Sequence, residues 1–174
     1  LGVNMQIIRN LSEWLDFHSG LSKRSIGFVP TMGSLHKGHG SLIKRAIREN
    51  DFCVVSIFVN PTQFNESKDF NNYPRRESQD IELCKSWGVD VLFMPSESEL
   101  YPEDKVINVS SSSQWGNILE GLHRPKHFNG VLTIVLKLLN IVQADFVYFG
   151  EKDYQQCKLV EQMIRAFFIK TNLV

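Results

Sequence analysis

Ser25-Ile26-Gly27-Phe28-Val29-Pro30-Thr31-Met32-Gly33-Ser34-Leu35-His36-Lys37-Gly38-His39-Gly40 decides the reading of this chain. A short, largely apolar run closed by Pro30 reads as a buried parallel strand ending at its carboxyl edge. Beyond it, Leu42, Ile43, Ala46 and Ile47 recur at helical spacing, with Lys44, Arg45, Arg48 and Glu49 between them. His36 and His39 therefore fall on a strand-to-helix turn. Open parallel sheets receive ligands beyond the carboxyl ends of their strands, and the first amides of a helix carry partial positive charge, so an anion is expected here. Gly38 and Gly40 would let the backbone come close to a ligand, and the imidazoles can place N–H donors against phosphate oxygens, a geometry suited to a triphosphate. Read alone, the H-x-x-H pattern is served as well by one packed and one solvated histidine, or by a metal pair. Neither G-x-x-x-x-G-K-[ST] nor G-x-G-x-x-G occurs, which argues against a generic P-loop ATPase and a dinucleotide dehydrogenase.

Working outward, a helical pattern over Ile7 to His18 precedes strand-like runs at Ser25 to Val29, Phe52 to Val59, Val89 to Met94, Val106 to Val109 and Phe146 to Phe149. Helical patterns cover Ser41 to Glu49, Glu77 to Trp87, Val131 to Val142 and Tyr154 to Phe168. Such alternation predicts βαβ units, hence an α/β protein with a parallel sheet. Two connections, Asn60 to Arg76 and Pro95 to Lys105, are long for a compact domain and lie where function concentrates. A further strand is expected to begin at Thr171 to Val174, as though the chain were truncated there. Residues 1–4, ahead of Met5, look like a cloning scar, leaving 5–174 as one domain.

With 174 residues, 43% of them hydrophobic, the chain can build a sizeable core. Nineteen basic and nineteen acidic side chains cancel, so no global field draws in nucleic acid or an anionic membrane, and phosphate binding must be local. Cys53, Cys84 and Cys157 are odd in number and widely spaced, which argues against a disulfide framework or a zinc site and favours a reducing cytoplasm. No apolar stretch reaches membrane-spanning length, and the N-terminus lacks a signal-peptide pattern.

Three more clusters stand at expected strand ends or helix starts. They are Ser56-Ile57-Phe58-Val59-Asn60-Pro61-Thr62-Gln63-Phe64, followed by Asn71-Asn72-Tyr73-Pro74-Arg75-Arg76; Leu119-Glu120-Gly121-Leu122-His123-Arg124-Pro125-Lys126-His127-Phe128-Asn129-Gly130-Val131; and Phe149-Gly150-Glu151-Lys152-Asp153-Tyr154-Gln155-Gln156. With the PTMGSLHKGH turn, these resemble the pantothenate synthetase family, the ligases of pantoate and β-alanine, in order and approximate spacing over roughly residues 26 to 156. The resemblance implies a Rossmann-like parallel sheet with helices on both faces, of the nucleotidyltransferase type with a HIGH-like H-x-x-H turn. Lys126 stands where the family usually has glycine, and Thr62 where methionine is common. The family's later phosphate-binding segment and smaller C-terminal domain have no counterpart in this chain.

The resemblance implies a two-step ligation. The pantoate carboxylate attacks the α-phosphate of ATP, and β-alanine then attacks the pantoyl adenylate, giving pantothenate, AMP and pyrophosphate in a coenzyme A precursor pathway. The first nucleophile is already ionised at neutral pH, so positioning and charge neutralisation suffice, which agrees with the absence of a Ser-His-Asp or Cys-His arrangement. By carry-over, His36, His39 and Lys152 are the catalytic donors on the ATP phosphates. Met32, Gly38, Gly150 and Asp153 join His39 and Lys152 in binding ATP, and Met32, Asn60, Gln63 and Gln156 form the pantoate pocket. Away from the resemblance each has a plainer role: Lys152 a solvated charge, Asp153 a helix-start charge, Met32 core, Gln156 helix surface, Asn60 a turn cap. Arg124 can grip a carboxylate or phosphate in two-pronged fashion, or serve as an ion-paired structural arginine. His123 and His127 read as structural. Mg2+ is expected on the nucleotide phosphates, with Asp80 the carboxylate to watch as a metal ligand.

Two rival readings stay open: another adenylyl- or cytidylyltransferase of the same fold, and a substrate-binding, catalytically impaired dimerising fragment. The family associates through this domain, so a homodimer is expected. Phe64, Phe70 and Tyr73 can furnish its surface or pack within the chain.

Overall fold

The computed structural model describes residues 5–21, 24–102, 107–112, 114–116 and 118–174. Six strands form one parallel sheet: β1 (Gln6–Ile8), β2 (Ile26–Thr31), β3 (Phe52–Ile57), β4 (Val91–Phe93), β5 (Phe146–Val147) and β6 (Asn172–Leu173), in the order β1-β4-β3-β2-β5-β6. Its centre is the β2/β3 ladder, with Ile26 opposite Phe52 and Thr31 opposite Ile57. Side chains alternate between the faces, so Phe28 and Val54 enter one apolar layer while Val29 and Val55 enter the other. Both faces are covered, which is why these strands read as apolar runs rather than alternating ones. On the first face lie α1 (Leu11–Ser19), α7 (His127–Val142) and α8 (Tyr154–Ala166); on the second lie α2 (Lys37–Glu49) and α4 (Glu77–Trp87). Short helices α3 (Ser67–Asn72), α5 (Glu97–Leu100) and α6 (Glu120–His123), with 3-10 turns at Pro61–Gln63, Gln114–Gly116 and Glu151–Asp153, fill the connections. The α/β parallel architecture read from the alternation is the one observed.

Several boundaries move. The expected helix over Ile7 to His18 divides into β1, paired with β4, and α1, which starts after Asn10, whose side chain accepts from Glu13 N at 2.8 Å. Three residues are too few to establish a strand period, so β1 was hidden in the helical pattern. Of the expected strand Val106 to Val109, Val106 lies outside the described residues and 107–109 form no strand; Val109 N donates to Thr133 Oγ1 instead. The strand expected near the end exists as β6. Residues 1–4 and the stretch 103–105 of the second long connection also lie outside the described residues.

The order of strands places the site. From β2 the chain steps through β3 to β4 on one side, then returns to lay β5 on the other side of β2. Connections therefore diverge at the carboxyl ends of β2 and β5, leaving a crevice there.

Candidate active site

The turn after β2 is built by main-chain hydrogen bonding to two side chains. Thr31 Oγ1 donates to Ser56 O (2.8 Å) and accepts from Gly33 N (3.1 Å). Gly33 takes φ +78°, and a Cβ there would lie 3.0 Å from Asp80 Oδ2, so only glycine turns this corner without strain. Asp80, at the start of α4 and 2% exposed, accepts from Ser34 N at 2.8 Å and Leu35 N at 2.7 Å, one amide per carboxylate oxygen. Asp80 thereby anchors the turn. Among the described residues no group of three or more His, Cys, Asp or Glu side chains is placed to hold a metal ion.

Chain direction from that anchor delivers the two histidines to the start of α2. His36 is the N-cap: its Nδ1 accepts from Gly38 N (3.1 Å), and Nδ1 of His39 accepts in return from His36 N (3.3 Å). This reciprocal capping box uses imidazoles where a serine and a glutamate are usual. The rings lie 4.1 Å apart. A main-chain N–H can only donate, so each neutral ring carries its proton on Nε2, leaving that donor available to a ligand. Burial holds the His39 pKa below its ordinary value, and the neighbouring His36 lowers it further, against weaker opposing pulls from Asp80 and Asp153.

His36 and His39 line a cavity of about 350 Å³ at the β2/β5 crevice. Gly38, Gly150, Lys152 and Asp153 line it with them, as do Met32, Gln63 and Gln156, and α7 contributes the apolar side chains Val131, Ile134, Val135 and Leu138. Nearly all the expected site residues are thereby brought together from segments more than a hundred residues apart in sequence. Tyr73, Tyr148 and Phe149 also line the cavity; Tyr73 and Phe149 fall within the quoted clusters without having been assigned to the site, and Tyr148, inside an apolar strand-like run, read as core. A larger open groove of about 660 Å³ lies near Arg24, Gln143 and Asp145 at the amino ends of β2 and β5, away from the crevice.

Asn60, expected to bind ligand directly, is completely buried and engaged at both ends of its amide. Its Nδ2 donates to Gln63 Oε1 and Gly130 O, both at 3.1 Å, and its Oδ1 accepts from Tyr101 Oη (2.8 Å) and Thr62 Oγ1 (3.0 Å). It lies at the cavity wall as support for Gln63, whose own Nε2 points to Met32 Sδ at 2.9 Å. Gly130 lets α7 approach this turn: a Cβ there would stand 2.5 Å from Thr62 O. His127, 6% exposed, donates from Nδ1 to Gln63 O (2.9 Å), and burial lowers its pKa, the Gln63 bond pulling the other way. Arg124 is absent from the cavity lining and pairs with Glu120 at 2.7 Å. Gly40 meets Trp87, where a Cβ would lie 3.0 Å from the indole, so it serves α2–α4 packing rather than ligand approach. Phe64 packs edge-on against both Phe70 (5.5 Å) and Tyr73 (5.6 Å), within the chain.

Fold and site define a doubly wound α/β domain with a histidine-bearing strand-to-helix turn at its switch point and an apolar chamber beside it. The pantoate-beta-alanine ligase family model matches residues 4–174, and the chain belongs to that family. Pantothenate synthetase from Francisella philomiragia is 50% identical over 171 residues, which are 98% of this chain and 66% of that protein. The crystal structure of pantoate-beta-alanine ligase from Francisella tularensis, complexed with beta-gamma ATP and beta-alanine, matches with a TM-score of 0.96 at 49% identity, covering 98% of this chain and 66% of that one. Pantothenate synthetase from Thermus thermophilus matches with a TM-score of 0.91 at 42% identity, over 98% of this chain and 60% of that one. The chain thus spans 66% of the length of the curated relatives it matches. Family membership, expected from the four sequence boxes, does not favour the rival nucleotidyltransferase reading.

Proposed function

We propose that this chain binds ATP and pantoate side by side and supports ligation of pantoate to β-alanine through a pantoyl adenylate. The observation that carries this reading is the single cavity that the histidine turn and Lys152 share with Gln63, Gln156 and Met32. ATP and β-alanine are the small molecules named for the Francisella tularensis relative. In the first step a pantoate carboxylate oxygen bonds to the α-phosphorus while the bond to the bridging oxygen breaks, releasing pyrophosphate. The Nε2–H donors of His36 and His39 and the Lys152 ammonium are assigned to the charge growing on the phosphate oxygens. Gly38, Gly150 and Asp153 border the nucleotide, Asp153 as acceptor for ribose or adenine groups. In the second step the β-alanine amine attacks the acyl carbon and AMP leaves. Gln63 and Gln156 hold the oxygens of pantoate and Met32 covers its gem-dimethyl carbon.

Mg2+ enters this scheme as the counter-ion of the nucleotide phosphates, its usual mode with few protein ligands. With both Asp80 oxygens engaged by amides, no step is routed through a protein-held metal. The reading includes a cytoplasmic, self-associating protein without nucleic-acid or membrane partners; no helix among the described residues is long and apolar enough to cross a membrane. Because Phe64, Phe70 and Tyr73 pack on one another, they are not offered as the dimer surface. Sedimentation at micromolar concentration tests the association, a monomer removing that part of the proposal.

Calorimetric titration of pantoate into the chain tests the site. Binding abolished by Gln63→Ala and by Gln156→Ala is the expected outcome; no binding by a chain shown folded by circular dichroism overturns it. Single-turnover adenylation measured alongside separates a working ligase from a chain that binds substrates without reacting them.

A further inference from the structure

We propose that Tyr101 is a positioning residue for substrate binding: its hydroxyl braces the Asn60 amide that determines which end of the Gln63 amide faces the cavity. Tyr101 stands behind the cavity wall, outside its lining. Its Oη donates to Asn60 Oδ1 at 2.8 Å. On the other side of the same amide, Gly130 O can only accept, so the Asn60 nitrogen must face it, at 3.1 Å. The Thr62 amide, which can only donate, meets Asn60 Oδ1 at 3.4 Å, and with Gly130 O it permits one orientation of the Asn60 amide, in which the Tyr101 hydroxyl is a donor. That orientation directs the second Nδ2 proton at Gln63 Oε1 (3.1 Å), which turns the Gln63 nitrogen toward Met32 and the cavity. Gln63 consequently offers its ligand a donor, the polarity suited to a carboxylate or hydroxyl oxygen.

Tyr101 is itself held in place. Lys137 on α7 places its ammonium 4.6 Å from the centre of the Tyr101 ring and donates to Leu100 O at 2.6 Å, closing the end of α5. The Leu11 amide donates to Glu99 Oε1 at 2.8 Å and fixes the other side of that short helix. The end of α5 thereby reaches the Gln63 amide by a directed chain of three side chains, Tyr101 to Asn60 to Gln63.

This inference rests on the pantoate reading above. The test is calorimetric titration of pantoate and, separately, of ATP into the unmodified chain and into Tyr101→Phe. Loss of one neutral hydrogen bond in the chain is expected to weaken pantoate binding about fivefold, with ATP affinity unchanged. Equal weakening toward both ligands identifies a general structural role and overturns the inference, as does unchanged pantoate affinity. An unmodified chain that binds no pantoate overturns the pantoate reading itself. Should Tyr101→Phe not fold, the side-chain amide resonances of Asn60 and Gln63 in the unmodified chain decide. Slow exchange of the Asn60 protons, with the Gln63 protons shifted by pantoate, is expected, and Gln63 protons unmoved by pantoate overturn the proposal.

Discussion

His39 differs from a solvated histidine in the group it holds: its Nδ1 receives the His36 amide, and only Nε2–H is left for a ligand. His39→Ala is expected to keep the fold by circular dichroism while lowering single-turnover adenylation of pantoate by a factor of hundreds, about 3 kcal/mol of transition-state stabilisation. His39→Gln returns a donor near the Nε2 position and should recover part of that loss. His39→Asn, which imitates Nδ1 alone, should not; equal rates for the Gln and Asn variants would sink the donor assignment. Lys126 is informative for a different reason. It adopts φ +69° immediately before α7, a left-handed conformation that a side chain disfavours. Lys126→Gly should therefore stabilise the chain by about 1 kcal/mol and raise the melting temperature by roughly 2–4 °C, with an unchanged or lower midpoint in a thermal melt counting against it. The sequence marked Lys126 as a departure from pattern; only the backbone angle says what the departure costs.

Among the elements, the β2-to-α2 turn and the start of α4 form one unit through Asp80. Asp80→Asn leaves one acceptor and turns an amide NH2 toward a main-chain N–H. The expected cost is about 2 kcal/mol of stability, visible as a lowered urea midpoint, without any change in the magnesium concentration needed for half-maximal adenylation. A shift in that magnesium requirement, with stability intact, would restore Asp80 as a metal ligand. Helix α4 itself was legible from end to end, Glu77 to Trp87, because its apolar period is long and Gly88 closes it in a left-handed cap. By contrast, α7 begins at His127, four residues before the apolar run that announced it at Val131. Its first turn faces the Pro61–Gln63 turn, and the contact that requires Gly130 lies between segments far apart in sequence. No local pattern encodes that approach.

For the whole molecule, pH dependence follows from two histidines whose folded pKa values lie below the ordinary 6.5, His39 and His127, each lowered chiefly by burial. As pH falls through the unfolded value of about 6.5 the unfolded chain takes up these protons first. Stability is then full above that pH and declines below it. Urea denaturation at pH 7.5 and pH 5.5 should give a lower midpoint at the acid value, and His127→Asn should reduce the difference; a midpoint independent of both would refute the assignment of either histidine as buried and neutral.

The sequence by itself determined the parallel α/β architecture, the strand-to-helix turn bearing His36 and His39, and the family. All three rest on local periodicity or contiguous motifs, and a buried parallel strand or a helix face is written into a few neighbouring residues. Tertiary structure alone decided the order β1-β4-β3-β2-β5-β6, and hence that the crevice opens between β2 and β5. It also decided the tasks of the polar side chains. Asp80 became the anchor of a turn 45 residues away, and Asn60 a support of Gln63. A carboxylate or an amide has the same letter whether it faces a ligand or a main-chain N–H. Which it faces depends on the partners that long-range packing brings within hydrogen-bonding reach, and a buried polar group must be satisfied by whatever stands there.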